Sequence, residues 1–98
     1  MYINVYHTKS HIHGIGTFTP VNLKRGDMIG VSHANYDGQW YMTTHGYYNH
    51  SEHPNCVVEN RDNLKLIIAL VDINAGEELT ADYREQTDLE QPKKDWVK

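Results

Sequence analysis

The chain has 98 residues, one cysteine and a formal net charge of -4 at pH 7, which makes it a single domain near the lower limit for building a core without staples. Cys56 alone excludes an internal disulfide and a cysteine-built zinc site, and the scattered Lys and Arg residues argue against nucleic-acid binding through a basic face. No apolar run approaches membrane-spanning length, and Met1 leads into a strand pattern rather than a basic-then-apolar leader; with the single thiol, this predicts a soluble, unprocessed intracellular protein of the cytoplasm or nucleus.

Taken in order, Tyr2 to Tyr6 is rich in β-favouring residues and predicts a strand. Lys9 to His13 leads into Gly14 and Gly16, which flank Ile15 and permit positive φ or close backbone approach to a ligand; Phe18 begins the next strand and points inward. On these residues alone a hairpin turn between two strands is the better reading. Pro20 to Gly26 is a connection, Arg25-Gly26-Asp27 a turn, and Met28 to Val31 a short strand. Asp37-Gly38 before Trp40 and Tyr41 predicts a hairpin whose aromatics cover a small core.

Tyr47 to Cys56, YYNHSEHPNC, concentrates hydrogen-bonding side chains beside a strand-like run, and buried Asn49 and Ser51 could simply tie irregular backbone together. Cys56 to Glu59 and Leu64 to Leu70 predict strands joined by the turn-prone Asn60 to Asn63; the continuous apolar end of LKLIIAL predicts a central strand covered on both faces. Ala75-Gly76 turns the chain into Glu77 to Tyr83, EELTADY, and a polar tail follows, interrupted by Pro92.

Three strings carry a resemblance: His13-Gly14-Ile15-Gly16 with Phe18, then Asn49-His50-Ser51 with Pro54-Asn55-Cys56, then Glu78-Leu79-Thr80 with Asp82-Tyr83. In identity, spacing and order they resemble the signatures of SET-domain protein lysine methyltransferases, from about Ser10 to Tyr83. The resemblance implies a mainly β fold of small curved sheets with little helix. It also implies a pseudoknot-like crossing in which EELTADY threads beneath a loop formed by the NHS segment. Residues 1–98 form one minimal domain, of the kind a virus or microbe could carry, with the usual insert reduced to a hairpin or short helix and 84–98 as a tail that closes the cofactor pocket.

The implied cofactor is S-adenosyl-L-methionine, held by Gly14, Ile15 and Gly16 through backbone, by Tyr47, Asn49 and His50, and by Trp96 against adenine. Asn49 and His50 would read the amino group of the methionyl moiety and the adenine edge. Tyr83 is the implied catalytic residue, with its hydroxyl at the inner end of a lysine channel, and no metal is required. Free lysine has a pKa of roughly 10.4, so the site must favour the neutral amine by desolvation and positioning. Glu78 and Asp82 are expected to be structural.

Ala81 and Val58 stand at positions where tyrosine restricts methylation in relatives, which implies di- or trimethylation. The sequence departs from the family at Ser32 and His33, where relatives have an aromatic residue then glycine, at Gly46, often arginine, and in lacking a cysteine-rich cluster after Tyr83. The implied partner is a histone-like or ribosomal protein carrying a target lysine, with no direct nucleic acid and no membrane. A homodimer would supply extra core and substrate surface. Two alternatives are a non-catalytic SET-like protein-binding module and a histidine-rich metal-binding protein using His11-x-His13 and His50-x-x-His53.

Overall fold

Strand-forming runs punctuated by Gly, Asp and Asn fold into eight short strands among the residues described by a computed structural model, 3–85. These are β1 (Tyr6–Lys9), β2 (Ile15–Phe18), β3 (Met28–Tyr36), β4 (Gln39–Met42), β5 (Asn49–His50), β6 (Cys56–Arg61), β7 (Leu64–Ala69) and β8 (Glu78–Ala81). The helical content described is two single 3₁₀ turns, Thr44–Gly46 and Tyr83–Glu85. One sheet has the order β1-β2-β8-β5 and the other β4-β3-β7-β6.

The first strand is displaced from the sequence expectation: it spans Tyr6–Lys9, and Tyr2 lies outside the described residues. All four of its side chains are exposed, so antiparallel pairing with β2, from Tyr6 opposite Phe18 to Lys9 opposite Ile15, sets its position. Ile3 and Val5 instead pack against the core, and the Ile3 amide donates to the Ile29 carbonyl at 3.1 Å.

The reduced insert is a β3-β4 hairpin followed by the Thr44–Gly46 turn. Asp37 (φ 53°) and Gly38 (φ 79°) both adopt left-handed backbone, the geometry of a two-residue turn matched to strand twist. β3 runs to Tyr36, longer than expected, because it pairs with β4 as well as β7. Trp40 is half-buried, whereas Tyr41 is 52% exposed: alternation along β4 sends it to the other face, so it does not cover the core.

The central position of β7 holds, between β3 and β6. Its unexpected feature is Lys65, fully buried with Nζ donating to Asn60 Oδ1 at 2.9 Å and lying 4.5 Å from the centroid of the Trp40 ring. The cation thus meets a hydrogen-bond acceptor and an aromatic face rather than bare hydrocarbon.

The two sheets are joined by an internal two-fold likeness. Leu23 and Ile73 exchange both backbone hydrogen bonds, at 2.7 and 2.9 Å. Around this pair, Asn22 Oδ1 accepts from the Ala75 amide while Asp72 Oδ1 accepts from the Arg25 amide. The Lys24–Asp27 and Asn74–Glu77 turns each place a glycine near φ 90°, at Gly26 and Gly76. The connection from β2 to β3 therefore mirrors the one from β7 to β8, and each carries the chain from one sheet to the other. Strands β2 and β8 pair in the first sheet, and β3 and β7 in the second. The core at this junction comprises Leu23, Ile29, Tyr48, Cys56, Val58, Ile67, Ala69, Ile73, Leu79 and Ala81.

Candidate functional site

β8 lies between β2, which it meets antiparallel, and β5, which it meets parallel. Beyond β5 the chain turns back along β8. The Ser51 amide donates to the Ala81 carbonyl at 3.1 Å, Asn55 Nδ2 donates to the Glu78 carbonyl at 2.8 Å, and the Thr80 amide donates to Asn55 Oδ1 at 2.9 Å. The Asn55 side chain thus substitutes for a neighbouring strand along β8. The expected crossing is formed in this way, and it brings HGIG, NHS and ADY together.

Asn49 sits where these segments meet. Its Nδ2 donates to Glu78 Oε2 at 2.7 Å, Ser10 Oγ at 2.9 Å and the His13 carbonyl at 3.0 Å. The Ser10 hydroxyl faces both Glu78 carboxylate oxygens at 2.7 Å and accepts from the Ile12 amide at 2.8 Å. Gly16 is required here because a Cβ would lie 2.4 Å from Glu78 Oε2. Gly14, at φ 49°, is exposed with nothing within 4 Å of its Cβ position, and Ile15 is 60% exposed. Gly14 and Ile15 are thus exposed beside this cluster, and none of the hydrogen bonds among the described residues engages the Asn49 side-chain carbonyl oxygen.

The second half of the site is Tyr83. Its amide donates to His50 Nδ1 at 3.0 Å, so the neutral imidazole carries its proton on Nε2, which is buried and without a hydrogen-bond partner among the described residues. The Tyr83 hydroxyl donates to the Tyr48 carbonyl. Its ring stands edge-on to Tyr48 and His50, with centroids at 5.6 and 5.4 Å. Asp82 is held by Arg84, whose guanidinium reaches it at 2.6 Å and keeps its carboxyl below the usual range. Burial pushes the Tyr48 phenol up to about 12, against the lowering effect of a hydrogen bond with Ser32, and pushes the Cys56 thiol up to about 12.

Of the sequence-predicted residues, Gly14, Ile15, Gly16, Asn49, His50 and Tyr83 converge on β8 and its flanks. Tyr47 is exposed, with its ring edge-on to His7 at 5.6 Å, while adjacent Tyr48 is buried against Tyr83. Trp96 lies outside the described residues. Ala81 and Val58 belong to the buried core cluster. Sequence reasoning missed Ser10 and Asn55 as site-forming residues, and it treated Glu78 as a backbone tie where the structure joins it to two side chains. The signal for Asn55 was its place in PNC; Ser10 had none beyond preceding the glycines.

His50 is buried and His53 exposed. No group of three or more His, Cys, Asp or Glu that could hold a metal occurs among the described residues. Nor is any helix among them long and apolar enough to cross a membrane.

Comparison with known proteins agrees with this geometry. The family model for the SET domain matches residues 8–84. A candidate histone methyltransferase of Plasmodium falciparum superposes with a TM-score of 0.72 at 20% identity, over 85% of this chain and 95% of that one. The Polycomb Repressive Complex 2 of Chaetomium thermophilum, in an autoinhibited conformation bound to S-adenosylmethionine, gives 0.70 at 20% identity. A humanized mutant of that complex bound to an inhibitor gives 0.70 at 21%. In both Chaetomium cases the match covers 85% of this chain but 15% of the other, so this chain corresponds to a small part of those proteins. Identities this low establish likeness of fold. No curated protein matches.

Proposed function

The chain belongs to the SET domain family, and from that premise we propose that it transfers methyl groups from S-adenosyl-L-methionine to a lysine side chain of a protein. The observation that carries this proposal is the convergence of three distant segments on β8, which leaves Asn49 Oδ1 as an oriented acceptor and sets Tyr83 against Tyr48 and His50, the residues on either side of Asn49 in the chain.

Asn49 fits the amino group of the methionyl moiety. Its Nδ2 hydrogens are taken by Glu78, Ser10 and the His13 carbonyl, which leaves the carbonyl oxygen to receive an ammonium. Gly14, Ile15 and Gly16 would line the cofactor with backbone, and Tyr47, His50 and Trp96 would complete the adenine side. S-adenosylmethionine supplies an electrophilic methyl group on a sulfonium. Tyr83 orients the incoming amine: its hydroxyl is fixed by donation to the Tyr48 carbonyl, which directs its lone pairs away from that bond. The amine must enter neutral, so the channel disfavours the ammonium by desolvation and the proton leaves to solvent before transfer.

Neither Ala81 nor Val58 places a hydroxyl or ring in the site, which supports a di- or trimethylated product. The substrate is a lysine-bearing protein of histone-like or ribosomal type, and two copies of the chain pair to build the surface that reads it. Incubation with labelled S-adenosylmethionine and a mixture of basic proteins should transfer label to lysine, and Tyr83→Phe should not. Capture of a basic protein by wild type without any transfer would instead favour the non-catalytic binding module.

A further inference from the structure

Glu78 is a half-buried carboxylate whose contacts are the Ser10 hydroxyl and the Asn49 amide, and it pairs with no Lys or Arg among the described residues. We propose that Glu78 is a positioning residue for the cofactor's amino-acid end: it fixes which way the Asn49 amide points and leaves an unneutralised negative charge behind that amide for a cationic group. The proposal rests on the methyltransferase assignment above and extends it to a residue outside the ligand-contacting set.

The orientation follows from donor and acceptor counting. With the amide as placed, its two N–H groups meet three acceptors: a carboxylate oxygen, a hydroxyl oxygen and the His13 carbonyl. Turned over, the carbonyl oxygen would face the carboxylate and the His13 carbonyl at the same short distances, which is repulsive. Ser10 cannot relieve this, because its one hydrogen already faces the two Glu78 oxygens and could not turn to the amide oxygen without leaving them. The carboxylate is also locked from behind. Gly16 leaves just enough room for Oε2, and the backbone of Glu78 is tied by Asn55. The charge is therefore held in place, and it meets no Lys or Arg among the described residues. A ligand ammonium at Asn49 Oδ1 would supply the missing positive charge one residue away, through a polarised amide.

Two probes separate this role from a general effect on the fold: S-adenosylhomocysteine, which carries the amino-acid end, and methylthioadenosine, which shares the adenosine and lacks that end. Calorimetric titration of both into wild type, Glu78→Gln and Ser10→Ala should show about tenfold weaker S-adenosylhomocysteine binding by Glu78→Gln. Methylthioadenosine binding should stay within about twofold, and Ser10→Ala should show the same selectivity at smaller size. Equal loss of both ligands in both variants, or unchanged S-adenosylhomocysteine binding in Glu78→Gln, would overturn the role of Glu78 while leaving the methyltransferase assignment standing. Wild type binding neither ligand would overturn the assignment itself, and this role with it.

Discussion

The Tyr83 amide donates to His50 Nδ1 at 3.0 Å, a bond between residues 33 apart that ties the end of the last signature to the middle one. Because His50 Nδ1 is committed as an acceptor, His50→Ala leaves a half-buried amide without that partner and a cavity beside the Tyr83 ring. Thermal unfolding should show a loss of roughly 3 kcal/mol, and methyl transfer should fall even under conditions where the variant stays folded. His50→Ala with full stability and activity would show that Tyr83 is placed by the strand alone.

Removing the Tyr83 hydroxyl should separate chemistry from binding. Tyr83→Phe forfeits one hydrogen bond to the Tyr48 carbonyl, about 1 kcal/mol of stability, and keeps the edge-on ring contacts. Label transfer should drop about a hundredfold or more while calorimetric affinity for S-adenosylmethionine stays near that of wild type.

The two glycines of the HGIG segment should respond differently. Gly16→Ala drives a Cβ to 2.4 Å from Glu78 Oε2 and should displace the carboxylate, with cofactor affinity falling more than stability. Gly14→Ala meets open space but keeps φ at 49°, so its cost is backbone strain of about 1 kcal/mol. Equal affinity losses in the two variants would contradict the contrast.

Much of this site was legible because its residue types recur in order, and the turns were legible because Asp37-Gly38, Gly26 and Gly76 announce left-handed backbone. The continuous apolar run of β7 marked it as central. What escaped the sequence depends on partners far away. β1 is placed by its register with β2 and not by its own apolar content. Lys65 reads as surface, yet is buried because Asn60 and Trp40 receive its ammonium. The likeness of Val21–Asp27 to Val71–Glu77 was present as text, but it gains meaning only when Leu23 and Ile73 pair. Glu78 looked like a backbone tie because nothing local indicates that Gly16 makes room for its side chain.

Alkaline pH should destabilise the fold through two buried groups. The folded-state pKa values of Cys56 and Tyr48 are both raised to about 12, from ordinary values of 9.0 and 10.0, so the unfolded chain releases protons first. Their contribution is intact below about pH 9 and is lost progressively toward pH 12, reaching about 4 kcal/mol in combination at pH 11. Cys56→Ala should remove more than half of that slope between pH 9 and 11 in denaturant titrations. An unchanged slope would mean that the thiol is not the group being titrated.

The most direct measurement of the central claim is calorimetric titration of S-adenosylmethionine into wild type and Asn49→Ala. The account predicts one binding site per chain in wild type and an affinity about tenfold weaker in the variant, because the oriented carbonyl oxygen is gone while β5 remains paired with β8. Equal affinity in the two proteins, or no binding to wild type, would contradict it.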